Sequence, residues 1–251
     1  MINTYNESSL HRTLKAMFAE QYGGRTEEAA DGHIYDILDK DGNVIEIQTG
    51  NLSKLLPKIR GAAGCGRKFM LVHPLAVTKR ILLNDADGNR ISYRKSPVRG
   101  CILDLFSELT GIYPVLTDPA FTLKVIEADI TEIRTRTPAP VQSANGRRRF
   151  KKNWIKEDKK LDSIIRIRTF RRPEDYTALL PPGLPDEFCA RDLSAAIAAA
   201  EEFPARAASL GSLILWVLSR MGAVAATGTR NRSRTYRISG AAESLPDRGL
   251  E

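Results

Sequence analysis

Cysteine is scarce in this chain and poorly placed for structural work. The three residues, Cys65, Cys101 and Cys189, are odd in number and scattered, with no Cys-x-x-Cys pair. That argues against a disulfide framework and a zinc knuckle, and favours a reducing, cytoplasmic setting. The three histidines, His11, His33 and His73, show no metal-ligand spacing, and His73, beside Pro74 at an expected strand end, reads as structural. Long hydrophobic runs are missing as well. LILWVL, at 213–218, falls far short of the ~20 residues that span a bilayer, so no membrane partner is expected. The opening MINTYNESSL lacks a basic start followed by an apolar run, so no signal peptide is expected.

Acidic charge is also in deficit, and the deficit is local. The 251 residues carry 38 Lys and Arg against 30 Asp and Glu, a net of +8. Residues 145–172, NGRRRFKKNWIKEDKKLDSIIRIRTFRR, hold twelve bases and three acids, a net of +9, leaving 8 − 9 = −1 for the rest. One concentrated basic block is the footprint of a polyanion-binding surface. Phe150 and Trp154 lie among the charges, where aromatic rings can stack on unpaired bases. With 42% hydrophobic residues, the chain has enough apolar side chains for a proper core.

Periodicity divides the chain. Leu10, Leu14, Met17 and Phe18 form one apolar stripe and predict a helix over about 9–21, capped by Ser8 or Ser9 and stopped at Gly23-Gly24. Short strands are expected at RTEEAA, HIYDIL and VIEIQT, a helix at about 52–63, and a buried strand KFMLVHP ending at Pro74. This order predicts an α/β layer on a mixed sheet. A hairpin at 79–94, a helix near 102–109 and a strand near 123–133 complete a first domain, 1–137. PAPVQSANG has linker composition and, with the basic block as a helix, makes a second segment, 138–178. The last segment, 179–251, reads as two helices closed by a β-hairpin, and so resembles a small α+β winged helix. Its hairpin carries Arg230, Arg232 and Arg234, suited to phosphate contact, whereas its longer helix offers few polar side chains for reading bases.

The hairpin HIYDILDKDGNVIEIQTG, 33–50, raises a question of chemistry. Asp36, Glu46 and Gln48 lie among its isoleucines, and a carboxylate inside a core strand costs several kcal/mol without a partner. A three-residue loop, Lys40-Asp41-Gly42, pairs residue 36 with 46 and Ile37 with Ile45, and it wants glycine in the left-handed conformation at its third position, where Gly42 stands. Turn chemistry and apolar pattern thus agree on a register that clusters Asp36, Glu46 and Gln48. Converging carboxylates repel, and Mg²⁺ or Mn²⁺ relieves that repulsion. Beside a basic block, phosphodiester hydrolysis is the natural chemistry.

Asp36, nine residues, then Glu46-Ile47-Gln48, on a hairpin between two helices, resembles the PD-(D/E)xK nuclease superfamily over residues 7–75. The resemblance implies a restriction endonuclease-like fold and a metal-dependent endonuclease acting on duplex, single-stranded or branched DNA. It makes Asp36 and Glu46 the metal ligands and sets Gln48 where the superfamily has lysine. Lys54 or Lys58, on the following helix, is the expected substitute cation, with Lys58 assigned to the site, and Glu7 matches an acid some members carry at the leading helix. Arg147, Arg148, Arg149, Lys151, Lys152 and Trp154, with the three hairpin arginines, form the expected nucleic-acid contacts, and cutting both strands would call for a homodimer. The other function class is a nuclease fold without turnover, serving as a DNA-binding or assembly module.

Overall fold

Three apolar residues decide where the first helix lies. Leu10, Leu14 and Phe18 are all buried, each worth roughly 1.5–3 kcal/mol. In the computed structural model, which describes residues 7–143, 146 and 149–240, they line helix α1, Ser9–Tyr22. The Ser8 side chain caps it by accepting the His11 N–H, and Gly23 closes it at φ +59°, a left-handed conformation open to glycine. Asp158, far along the chain, accepts the Ser9 N–H at 2.8 Å. An acid at a helix N-terminus complements the helix dipole, so this bond ties the start of α1 to a distant strand.

Seven strands form one sheet: β1 (Arg25–Ala30), β2 (His33–Leu38), β3 (Val44–Ile47), β4 (Phe69–Asn84), β5 (Arg90–Lys95), β6 (Phe121–Val141) and β7 (Lys152–Phe170). The order is β1-β2-β3-β4-β6-β7, with β5 also on β4. β3 and β6 run parallel to β4, and the other pairs are antiparallel. Alternation along β3 sends Ile45 and Ile47 to a core with α1, while Val44 joins Tyr35, Phe69 and Leu71 in a core on the other face. That second core holds α2 (Leu56–Gly64) and α3 (Leu105–Leu109), each entered through a 3-10 turn, at Leu52–Leu55 and Ile102–Asp104. The expected mixed α/β sheet flanked by helices is therefore present.

The β2–β3 register is the expected one. Ile37 pairs with Ile45, Asp39 N–H bonds Asn43 C=O, and Gly42 takes φ +77°. The Asp39 carboxylate accepts the Asp41 and Asn43 N–H groups, and Asp85 repeats both bonds with Asp87 and Asn89 at the β4–β5 turn. The two Asp-x-Asp-Gly-Asn stretches are thus one turn used twice.

Two expectations fail in the sheet. The strand expected to stop at Pro74 continues to Asn84. Proline lacks the N–H a central strand needs. Val72 C=O turns toward β3, bonding Gln48 N–H, so two residues later the missing Pro74 donor also faces the β3 side, where β3 has ended. The basic block is not a helix on a linker. It is β7, paired along β6 from Phe170 back to Lys152, so β6 and β7 make a long ribbon rather than a domain boundary. Of the expected linker, residues 138–141 belong to β6, while Ala144 and Asn145, like Arg147 and Arg148 of the basic block, lie outside the described residues.

The tail comprises α4 (Pro173–Thr177), β8 (Phe188–Cys189), α5 (Ala190–Ala199), α6 (Gly211–Arg220), β9 (Val224–Arg230) and β10 (Ser233–Ile238). Its strands pair in the order β8-β10-β9. The longer of the two helices expected in the tail is divided into a 3-10 turn, Ala205–Leu210, and α6. Gly211 stands at the division because a Cβ there would meet Ser194 Oγ at 2.3 Å and Ala190 O at 2.9 Å. Ile214, Leu215 and Leu218 of α6 share one continuous core with Phe106 and Leu109 of α3. Among the described residues, no helix is long and apolar enough to cross a membrane.

Candidate active site

β2 and β3 exchange backbone bonds only as far as Ile37. Beyond it, side chains continue the ladder. Asp36 Oδ2 accepts the Ile47 N–H at 2.8 Å, and Glu46 Oε2 accepts the Asp36 N–H at 3.3 Å. Two carboxylates thus occupy one half-buried junction between the strands. On β1, Glu27 lies opposite Asp36, between the pairs Thr26–Ile37 and Glu28–Tyr35, and takes φ +57°. For a non-glycine residue that costs roughly 1–3 kcal/mol, a strain concentrated at functional sites.

Cations approach the pair from both sides of the sheet. From α2, Lys58 Nζ stands 2.6 Å from Glu46 Oε1 and 2.6 Å from Ile34 O, above the Tyr35 ring at 5.0 Å. From α1, His11 Nε2 stands 3.2 Å from Asp36 Oδ2, and its Nδ1 bonds Glu7. Lys15, one turn further, pairs with Glu7 at 2.7 Å and also with Glu27. Signs therefore alternate along Glu27, Lys15, Glu7, His11 and Asp36, and resume at Glu46 and Lys58. Only between Asp36 and Glu46 do like charges meet.

The titration of these groups follows from that arrangement. Burial, and then the Asp36 charge, push the Glu46 carboxyl up to about 7 against the pull of Lys58. Burial works to raise Asp36 too, but the bond and charge of His11, with the Ile47 N–H, outweigh it and hold the carboxyl below its ordinary value. Burial disfavours the His11 cation, yet Asp36 and Glu7 together raise its pKa. Asp36 is thus the ionised member of the pair, and Glu46 is poised near neutrality.

The expected residues divide. Asp36, Glu46 and Lys58 come together, whereas Lys54 is exposed away from them. Gln48 does not join the carboxylates: its side-chain amide donates to Gly50 O at 2.5 Å, and its C=O meets His73 Nδ1 at 2.7 Å. His73, expected to be structural, is buried beside that carbonyl. Glu7 precedes the Ser8 cap rather than lying in the first helical turn, and it reaches the site through His11. His11 and Lys15 were not anticipated. Their signal was a polar stripe, Glu7, His11 and Lys15 at four-residue intervals, beside the apolar one.

The expected nucleic-acid residues also divide. Arg147 and Arg148 lie outside the described residues. Arg149, Lys151 and Lys152 are exposed where the ribbon turns, and the Arg134 guanidinium covers the Trp154 ring at 3.6 Å. Arg230 is held by Asp192, while Arg232 and Arg234 are exposed. In the stretch of the longer expected tail helix, which offers few polar side chains for reading bases, Arg206 is committed to Asp104 and to Arg99 C=O.

The chain belongs to the family described as Domain of unknown function (DUF8091), which matches residues 8–171. That span holds Asp36, Glu46, Lys58, His11 and the whole β6–β7 ribbon. The chain is similar to an uncharacterized protein of Treponema pallidum (strain Nichols), 31% identical over 193 residues, covering 77% of this chain and 73% of that protein. No solved structure matches it.

Proposed function

We propose that this protein is a cytoplasmic, metal-dependent nuclease of restriction endonuclease-like fold, hydrolysing DNA phosphodiester bonds at the Asp36–Glu46 junction. The observation that carries the reading is Lys58 Nζ at 2.6 Å from Glu46 Oε1. The resemblance lacks its lysine at Gln48, and α2 delivers a lysine to the same carboxylate from the next element. A cation there orients Glu46 and offsets charge that grows on a phosphate during attack.

The donor set fits Mg²⁺ or Mn²⁺. Asp36 Oδ1 accepts no hydrogen bond among the described residues, Glu46 Oε2 accepts only the 3.3 Å bond, and both are hard oxygen donors. No group of three or more His, Cys, Asp or Glu side chains among the described residues is arranged to hold a metal. Asp36 and Glu46 alone would hold the ion, whose remaining ligands would be waters and substrate, as is usual for Mg²⁺. When bound, such an ion lowers the pKa of a coordinated water and stabilises phosphoryl charge. Glu7, through His11, fixes the Asp36 carboxylate, and Lys58 fixes Glu46.

In substrate capture, the β6–β7 ribbon supplies phosphate contacts. The tail, whose helix and strand order resembles a winged helix, has its second long helix buried in the shared core. Its exposed wing, with Arg232 and Arg234, is left for the backbone. The test is Mg²⁺-dependent cleavage of duplex, single-stranded and branched DNA. The wild type should cut at least one substrate, and Asp36→Ala, Glu46→Ala and Lys58→Ala should each be inactive yet folded. Full activity in either carboxylate variant would exclude this site. A second reading, a DNA-binding or assembly module without turnover, is favoured by Gln48 turning to Gly50. It predicts binding that survives all three substitutions, with no cleavage by the wild type.

A further inference from the structure

A cavity of about 290 Å³ lies apart from the carboxylate junction, where β4, β6 and β7 meet the loop after β5 and the tail. Its size is near the lower end for small-molecule sites, ~300–1,000 Å³. Its wall carries five charged side chains, Lys79, Asp104, Glu132, Lys159 and Arg206, and their pairing leaves one over. Asp104 is taken by the Arg206 fork, with both bonds at 2.6 Å. Glu132 is taken by Arg134, through its Nε at 2.7 Å, with Lys79 a further 3.7 Å neighbour. The Lys159 ammonium makes no hydrogen bond or ion pair among the described residues. It is half-buried, and burial with the charges of Lys156 and Lys79 lowers its pKa despite Glu132 and Glu108 nearby. A compact ammonium that makes no direct ion pair, held partly out of water, gains by meeting an anion.

We propose that this cavity is a phosphate-binding subsite in which Lys159, with Lys79 beside it, takes the charge of a phosphate group. The phosphate belongs either to a nucleic-acid backbone or to a small phosphorylated ligand, and the backbone assignment rests on the nuclease reading above. Position favours the backbone. Ala76 and Lys79 lie five and eight residues along β4 from Leu71, the register partner of Glu46. At ~3.3 Å per residue that is roughly 17–26 Å, the length of about 5–8 base pairs at 3.4 Å each. A duplex bound at the carboxylates and lying along β4 would bring a phosphate to Lys159.

The experiment compares the full-length wild type with Lys159→Gln and Lys159→Arg in two arms, both in EDTA. In the first, a fluorescent duplex oligonucleotide is titrated by anisotropy across a salt series. Lys159→Gln should weaken binding several-fold and lower the log–log salt slope by ~0.9, the share of one duplex phosphate contact, while Lys159→Arg keeps the slope. In the second, inorganic phosphate is added during thermal unfolding, and it should raise the wild-type Tm more than that of Lys159→Gln. A response in the oligonucleotide arm alone assigns the site to the backbone. A response to phosphate, alone or in both arms, supports a site open to free phosphate. If Lys159→Gln, folded like the wild type, changes neither, the proposal is overturned and Lys159 merely reaches solvent. Neither arm requires cleavage, so an inactive wild type would sink the nuclease reading and leave this one standing.

Discussion

Glu46→Gln should make the protein more stable, although Glu46 is buried and ion-paired. An ordinary glutamate titrates near 4.5 and this one at about 7. The difference, about 2.5 pH units at ~1.36 kcal/mol each, means that the ionised side chain opposes folding by roughly 3 kcal/mol. Burial is the larger cause and Asp36 the second, and Lys58 recovers only part. Between pH 4.5 and 7 the native state holds a proton that the unfolded chain has lost, so wild-type stability falls as pH rises through that window and levels above it. Glutamine keeps the shape and carries no charge; its one amide oxygen can still accept from Lys58, while its NH2 then faces the Asp36 N–H and the long 3.3 Å bond is lost. The variant should lack that part of the slope and, at pH 8, unfold ~6–12 °C higher, taking ~2–4 °C per kcal/mol for a chain of this size. Thermal unfolding in EDTA from pH 5 to 8 measures this without a divalent ion screening the pair. A folded Glu46→Gln protein less stable than wild type at pH 8 would refute the reasoning, because Lys58 would then satisfy the carboxylate fully.

His73 works in the opposite direction: burial lowers its pKa against the Gln48 bond. The unfolded chain gains a proton near pH 6.5 that the native state refuses, so stability present above 6.5 is lost as pH falls below it. His73→Asn, which can still donate to Gln48 C=O, should flatten that loss in urea unfolding at pH 7.5 and 5.5; equal slopes in both proteins would exclude His73 as the source. Leu218→Ala removes a fully buried side chain of α6 and should cost ~2–5 kcal/mol. Because the core is continuous, calorimetry should show one transition moved down, and two separate peaks would mean that tail and sheet unfold independently. Replacing Arg147, Arg148 and Arg149 by alanine should lower the salt slope for duplex binding by ~2–3 if all three touch phosphate, and an unchanged slope would remove them from the interface.

The hairpin at 33–50 was legible because two local signals agreed. Gly42 demanded one loop length, and that length paired Ile37 with Ile45. Lys58 was legible as the next cation on the following helix, although nothing local separated it from Lys54. His11 was not, because its partner Asp36 is reached only when α1 is laid on the sheet by Leu10, Leu14 and Phe18. β7 was misread because lysines and acids dominate its first half and have weak strand preference. Pairing along β6 overrides that preference. The period-two pattern was visible only in Ile165, Arg166, Ile167 and Arg168. Pro74 misled in a different way. It stops a strand that needs its N–H, but here the neighbour on that side had already ended.

β7 also leaves a nineteen-residue outer edge that no described strand covers. Long open edges of this kind template pairing between molecules and lead to fibres. Here the β6–β7 ladder loses register in four places, and exposed Lys156 and Lys160 stand along the strand. Each irregularity twists the edge out of line, and each ammonium would have to be buried against its copy in a stacked assembly. The residues that disguise β7 as something other than a strand are thus the ones that keep it from becoming a seed for aggregation. Trading Lys156 and Lys160 for threonine would improve its strand character and leave a concentrated solution less able to stay clear.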